Sequence, residues 1–193
     1  MKRLVVATSN EGKVVEIRAA LPDVQVETLK DHPAIEMPEE TGATFAANAI
    51  LKAEHVANVL GVPALADDSG LVVDALDGAP GVRSARYAPG TDRDRYLHLL
   101  ANLEGVQERA ARFVCAMALA IPDAPTHVEE GKCEGTIGAE PVGDGGFGYD
   151  PVFVVDDGRT MAQLSVAEKN ARSHRGRALA KMRPHLEGHF SLD

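Results

Sequence analysis

The chain of 193 residues has no tryptophan, two cysteines, three tyrosines and five phenylalanines. Cys115 and Cys133 form no CxxC pair, and such sparse usage points to a reduced, cytoplasmic protein. Positive charge is also short. With 20 Lys and Arg against 29 Asp and Glu the net charge is −9, so the surface as a whole repels nucleic acid and anionic membrane. Any phosphate-bearing ligand must therefore be met by local cations or a metal. No apolar run approaches the roughly 18 residues needed to span a bilayer. The apolar stretch after the first basic residues stops at Thr8, too short for the core of a signal peptide. The chain has no internal repeat and no low-complexity tract.

What remains is an ordinary globular composition, 45% hydrophobic and 25% charged, long enough to bury a substantial core. Leu4–Thr8 is short, apolar and β-branched and reads as a buried strand. Asn10 or Ser9 caps a helix to about Leu21, with Val14, Ile17 and Leu21 on one face. Asp23–Leu29 alternates as a strand, and the Pro- and Glu-rich stretch Asp31–Gly42 is a loop. Thr44 caps a long helix to Leu60, with Phe45, Ala49, Lys52 and Val56 in helical register. Val62–Asp67 and Leu71–Leu76 read as two strands separated by a Ser69-Gly70 turn. Gly78–Gly90 is a structured loop and Asp92–Leu103 an amphipathic helix. Arg112–Ile121 is a central strand, Val128–Pro141 a strand with a polar face, and Pro151–Val155 a strand after a glycine-rich loop. Ser165 or Ser173 opens the last helical region, which ends near Leu186. Strands alternate with helices first and then cluster. This is an α/β protein with an elongated mixed sheet flanked by helices, and residues 1–193 form a single domain of two lobes sharing that sheet.

Four segments carry candidate chemistry. Asp67 and Asp68 end a buried apolar run. Adjacent carboxylates repel unless a cation or a proton sits between them, which suits a divalent metal and an activated water. Glu39-Glu40, in the acidic loop, could supply further oxygen ligands to a hard cation such as Mg²⁺, although taken alone that pair reads better as a solvated loop. Thr8-Ser9-Asn10-Glu11-Gly12-Lys13 places a helix N-terminus and a mobile ammonium where phosphate would dock, and it also fits an ordinary capped helix. It is no Walker A loop, because Ala7 and Val14 stand where Gly and Ser or Thr are required.

The third segment, Gly143–Asp150, formally contains GxGxxG. A strand-like stretch comes after it rather than a helix, which excludes a dinucleotide-binding turn. Phe147 and Tyr149 on this loop could stack on a purine or anchor the loop to the core. The fourth segment is Glu168–Arg175. A cap at Ser173 puts His174 and Arg175 in a first helical turn, where cations oppose the helix dipole unless an anion or a polar base edge docks beside them. Lys52 either snorkels to solvent or points into a cleft, and Arg86 is equally undecided. The remaining histidines show no metal-ligand spacing.

Taken together the stretches ATSNEGK, EETGATFAANAILKA, PALADDSGLVVDALDGAPGVRSARYAPG, GGFGYDPVF and AEKNARSHRGRAL resemble the inosine triphosphate pyrophosphatase family, and they lie in that order along nearly the whole chain. The resemblance implies Mg²⁺-dependent hydrolysis of ITP, dITP and XTP to the monophosphate and pyrophosphate. It also implies a two-lobed fold with a central cleft and a homodimer, with no nucleic-acid or membrane partner. Carried over by motif, Thr8, Ser9, Asn10, Glu11, Gly12 and Lys13 hold the triphosphate, with Lys13 counted among the catalytic groups. Asp68 is general base and metal ligand with Asp67 beside it, and Glu40 binds metal, with Glu39 as the alternative register. Lys52 and Lys169 contact phosphate, and Ser69 touches substrate. Phe147, Gly148, Tyr149 and Asp150 receive the base, and His174 and Arg175 read its 6-oxo edge. Ser9, Ala46 and Ala47 depart from residues common in the family without removing an assigned group. Competing readings are a nucleotide sensor without turnover, which would have no need of Asp67-Asp68, and a pyrophosphatase for pyrimidine or modified nucleotides. A dehydrogenase is disfavoured by the strand-like residues after Gly148.

Overall fold

The computed structural model describes residues 3–190. Six strands form one sheet in the order β2-β1-β3-β4-β5-β6. β1 (Arg3–Val6) lies parallel to β2 (Gln25–Thr28) and to β3 (Ala64–Val73). From β3 the sheet turns antiparallel through β4 (Ala110–Ala120), β5 (His127–Ile137) and the two-residue β6 (Phe153–Val154). The connectivity explains the mixture: the parallel neighbours are joined through helices, whereas β4 and β5 form a hairpin.

Thr44 accepts a hydrogen bond from Ala47 N and caps α2 (Phe45–Leu60), which ends at the left-handed Gly61. A cap of this kind is worth about 1 kcal/mol. α2 covers one face of the sheet, where Ala49, Ala53, Val56 and Ala57 meet Ala64, Ala66, Ala116 and Ala118. Small residues on both sides let helix and sheet approach closely. On the other face α1 (Glu11–Ala20) and α5 (His174–Phe190) pack Ile17, Leu21, Leu179, Met182 and Leu186 on Leu4, Leu65, Met117 and Leu119. A third cluster, at the far end of the long strands, joins Leu71, Val73, Phe113, Ile137 and Phe153 to Leu99 of α3 (Asp92–Asn102) and to Leu103 just after it. Residues 67–70 of β3 lie between the near and far clusters.

The expected Ser69-Gly70 turn is absent. β3 pairs with β4 without a break from Ala64↔Ala120 to Val73↔Ala111. Gly70 serves close approach instead of reversal: a Cβ there would lie 2.5 Å from the Gly81 carbonyl and from Ser84 Oγ. Pro151–Val155 also departs from expectation. Asp150–Val152 is a 3-10 turn with Pro151 near its start, and only Phe153 and Val154 pair with β5. Both candidate serines cap helices, Ser165 for α4 (Val166–Arg172) and Ser173 ahead of α5, which continues past Leu186 to Phe190. Among the described residues no helix is long and apolar enough to cross a membrane.

Candidate active site

A cleft of about 500 Å³ opens beside residues 68–70 of β3, and its walls come from all four segments singled out in the sequence. At one end Thr8, Ser9, Asn10 and Lys13 line it. β1 ends at Val6, and Asn10 Oδ1 accepts from Lys13 N at 3.1 Å to start α1. The N–H groups of this turn left without intrahelical partners are of the kind that suits an anion. Glu11 is turned away, ion-paired with Lys30. Gly12 is covered by the Phe147 ring, into which a Cβ at position 12 would drive.

The two aspartates separate because successive residues of a strand face opposite sides. Asp68 faces α2. Its Oδ2 accepts from Asn48 Nδ2 at 2.9 Å, and Lys52 Nζ stands 3.8 Å from Oδ1 and 2.6 Å from Glu40 Oε1. Burial pushes the Asp68 carboxyl above the ordinary carboxylate range, and Lys52 and Asn48 offset this only in part. For Glu40 burial acts in the same direction, but the bonded Lys52 outweighs it and keeps the carboxyl low. Glu39 is exposed and stands outside the cleft lining.

Asp67 faces α1 and α5 and is fully enclosed, its side chain 0% exposed. Lys13 Nζ lies 3.0 Å from its Oδ2, and Arg175 Nη2 donates to the same oxygen at 3.0 Å. Burial alone would raise this carboxyl; Lys13 and Arg175 hold it far below the usual range. Its Oδ1 is buried without a partner. The pairing continues inward. Arg175 Nη1 bonds Glu16, Lys169 Nζ bridges Glu16 and Asp150 at 2.6 Å each, and Asp150 Oδ2 accepts from Phe147 N at 2.9 Å. A chain of alternating charges, Lys13–Asp67–Arg175–Glu16–Lys169–Asp150, thus runs from the first turn of α1 to the aromatic loop. Its three cations and three anions cancel, so burying them leaves no net charge.

The aromatic loop forms another wall of the cleft, against Gly12. Lys169 Nζ lies 4.7 Å and the Arg175 guanidinium carbon 5.7 Å from the centre of the Phe147 ring. Tyr149 is buried, and its hydroxyl donates to the Ser84 carbonyl at 2.8 Å. His174 is stacked on Phe113 with 4.7 Å between ring centres. Burial and the neighbouring Arg175 and Lys169 push its pKa well below the ordinary value, so the ring is neutral, and its Nδ1 has no partner. Arg175 donates through Nε and Nη2 to Asp67, through Nη1 to Glu16 and through Nη2 to Ser69 Oγ. A guanidinium has five N–H groups, so one on Nη1 is left over.

The donor set around Lys52 has the chemistry a hard cation takes. Glu40 and Asp68 come from separate segments, converge on one ammonium, and offer only carboxylate oxygens. Mg²⁺ is held by one or two carboxylates with waters and substrate phosphates completing an octahedron, so the pair fits it. Among the described residues no group of three or more His, Cys, Asp or Glu side chains forms a closed metal cage.

Sequence reading did not single out Glu16, Asn48, Ser84 or Asp92. Glu16 had a usable signal, standing three residues after Lys13 on one helix and so on the same face. Asn48 is likewise four residues before Lys52. Ser84 and Asp92 join the site through tertiary contacts that leave no local spacing.

The family model described as the Ham1 family matches residues 4–185. The chain is 53% identical over 190 residues to a dITP/XTP pyrophosphatase of Geobacillus kaustophilus, covering 94% of this chain and 93% of that protein. It is 47% identical over 195 residues to a dITP/XTP pyrophosphatase of Parasynechococcus marenigrum, covering 100% and 99%. Among solved structures it superimposes on the Ham1 protein of Staphylococcus aureus with a TM-score of 0.87 at 42% identity, over 97% of this chain and 100% of that one.

Proposed function

The chain belongs to the Ham1 family, and on that premise we propose that it hydrolyses the deaminated purine nucleotides ITP, dITP and XTP to the monophosphate and pyrophosphate, with Mg²⁺, and so clears them from the nucleotide pool. The observation that carries this reading is that one cleft is lined together by the N–H-rich turn with Lys13, by Asp68 beside Lys52 and Glu40, and by Phe147 with His174 and Arg175.

In this reading the triphosphate lies along Thr8–Asn10 and Lys13, with Lys13 exchanging Asp67 for phosphate. Asp68 takes a proton from the water that attacks the α phosphorus, a task favoured by a carboxyl whose pKa lies nearer the working pH. Lys13 and Lys52 stabilise the charge that develops on the departing pyrophosphate. Glu40 and Asp68 would hold Mg²⁺, which, when bound, neutralises phosphate charge. Asp67 keeps Lys13 and Arg175 in place. The base lies against Phe147, and the remaining Arg175 N–H and His174 lie beside its 6-oxo edge. Donors there reject adenine, whose 6-amino group is itself a donor. The reading extends to a cytoplasmic homodimer, which sizing of the purified protein and cell fractionation test.

The direct test is pyrophosphate release from ITP, dITP, XTP, ATP and GTP, with and without Mg²⁺. Turnover of the first three, lost on chelation, is expected. Equal turnover of ATP, or tight ITP binding without product, would overturn the reading.

A further inference from the structure

The aromatic loop is held from three sides. Phe147 N donates to Asp150, which Lys169 anchors, and the Tyr149 hydroxyl donates to the Ser84 carbonyl. The third tie comes from another element: Gly148 N donates to Asp92 Oδ2 at 2.7 Å. Asp92 is the first residue of α3, far from the loop in sequence, and lines the cleft with its side chain 45% exposed. Its other oxygen is fixed by Arg95 Nη2 at 2.8 Å, and Arg95 is itself braced on the Gly90 carbonyl at 3.0 Å.

We propose that Asp92 is a positioning residue for the base-receiving end of the cleft: it fixes the Phe147–Gly148 peptide plane and thereby holds the Phe147 ring at its height over Gly12. The proposal rests on the functional reading above for what that ring receives. The Gly148 N–H belongs to the peptide that joins Phe147 to Gly148, so anchoring it restrains the backbone from which the ring projects. The Phe147 N–H, bonded to Asp150, restrains the peptide on the other side. A bond from N–H to a carboxylate is charge-assisted and stronger than one between neutral groups. Asp92 is not consumed in starting its own helix. The α3 N-terminus is capped by Thr91 with Asp94, each side chain accepting from the other's backbone N–H. The Asp92 Oδ2 is therefore free for the loop.

The experiment compares wild type, Asp92→Ala and Asp92→Asn in three readouts: amide hydrogen exchange at residues 147–150, affinity for inosine monophosphate and for inorganic pyrophosphate, and KM and kcat for ITP. In Asp92→Ala, Gly148 exchange accelerates and inosine monophosphate affinity falls, each about ten-fold, with a matching rise in KM. Pyrophosphate affinity and kcat stay near wild type. Asp92→Asn, which keeps an oxygen within reach of Gly148, recovers most of the loss. Unchanged exchange and inosine monophosphate affinity in Asp92→Ala overturn the proposal, as does an equal loss for both ligands, which marks a merely structural role. A wild-type protein that binds pyrophosphate but not inosine monophosphate overturns the functional reading itself. In that case the exchange rates alone decide whether Asp92 braces the loop.

Discussion

Asp67 and Asp68 are consecutive in β3, and their carboxylates are held by opposite sides of the sheet: Asp67 by Lys13 and Arg175 from α1 and α5, Asp68 by Asn48 and Lys52 from α2. The first is surrounded by cations and held ionised; the second is buried with weaker compensation and is easier to protonate. The repulsion expected of neighbouring acids is thus relieved by the pleat and by separate partners.

Asp68→Asn is expected to lower pyrophosphate release on the order of 10³-fold, the usual worth of a general base. It should not lower the melting temperature at pH 7. The folded-state pKa of Asp68 is raised, so its contribution is present below the unfolded value of about 4 and is lost as pH rises through the folded value. Removing the charge at neutral pH relieves that cost. Activity and melting curves on one preparation check both halves, and a marked loss of stability at pH 7 would contradict the assignment.

Asp67→Asn should behave oppositely. Its folded pKa is depressed, so its contribution is present above the unfolded value and is lost only as pH falls through the folded one. At pH 7 the variant leaves Lys13 and Arg175 short of an anion in a buried site, at a cost of about 3–5 kcal/mol. Urea unfolding at pH 7 measures it.

Lys52→Met takes away the largest influence lowering the Asp68 pKa. The acid limb of the pH–activity profile should move toward neutrality. A limb that stays in place or moves to lower pH would show that a group other than Asp68 controls it.

Glu40→Gln is expected to raise the Mg²⁺ concentration for half-maximal activity by at least about ten-fold, the lower end of what outer partners of a metal site are worth. Glu39→Gln should leave it unchanged, because Glu39 is exposed and outside the cleft lining. Titration of activity with Mg²⁺ after chelation decides between the two registers that the acidic loop leaves open.

Local signals served the elements well where caps and periodicity agreed, as with Thr44 and α2 or Asn10 and α1. They failed at Ser69-Gly70, whose composition imitates a turn, because the pairing partner that keeps β3 extended lies more than forty residues on, in β4. The site divided in the same way. Thr8, Asn10, Lys13, Asp68 and the aromatic loop advertise themselves by residue type and spacing, and the cleft brings them together. The distinction between Asp67 and Asp68 came from the family resemblance alone, since physically it depends on which helix covers which face. Asp92 stayed silent because its partner, Gly148, is distant in sequence.

The alternating charges between Lys13 and Asp150 have a consequence for biosynthesis. Arg175 lies 159 positions beyond Glu16, and ribosomes deliver the N-terminal elements first. Until α5 emerges, Glu16 and Asp67 lack the guanidinium that joins them, and closing so long a span is entropically slow. A nascent polypeptide halted before Ser173 would therefore carry its sheet with an unfinished crevice, and pulse proteolysis of stalled chains should find α1 and the 147–150 segment cleavable until the final helix is released.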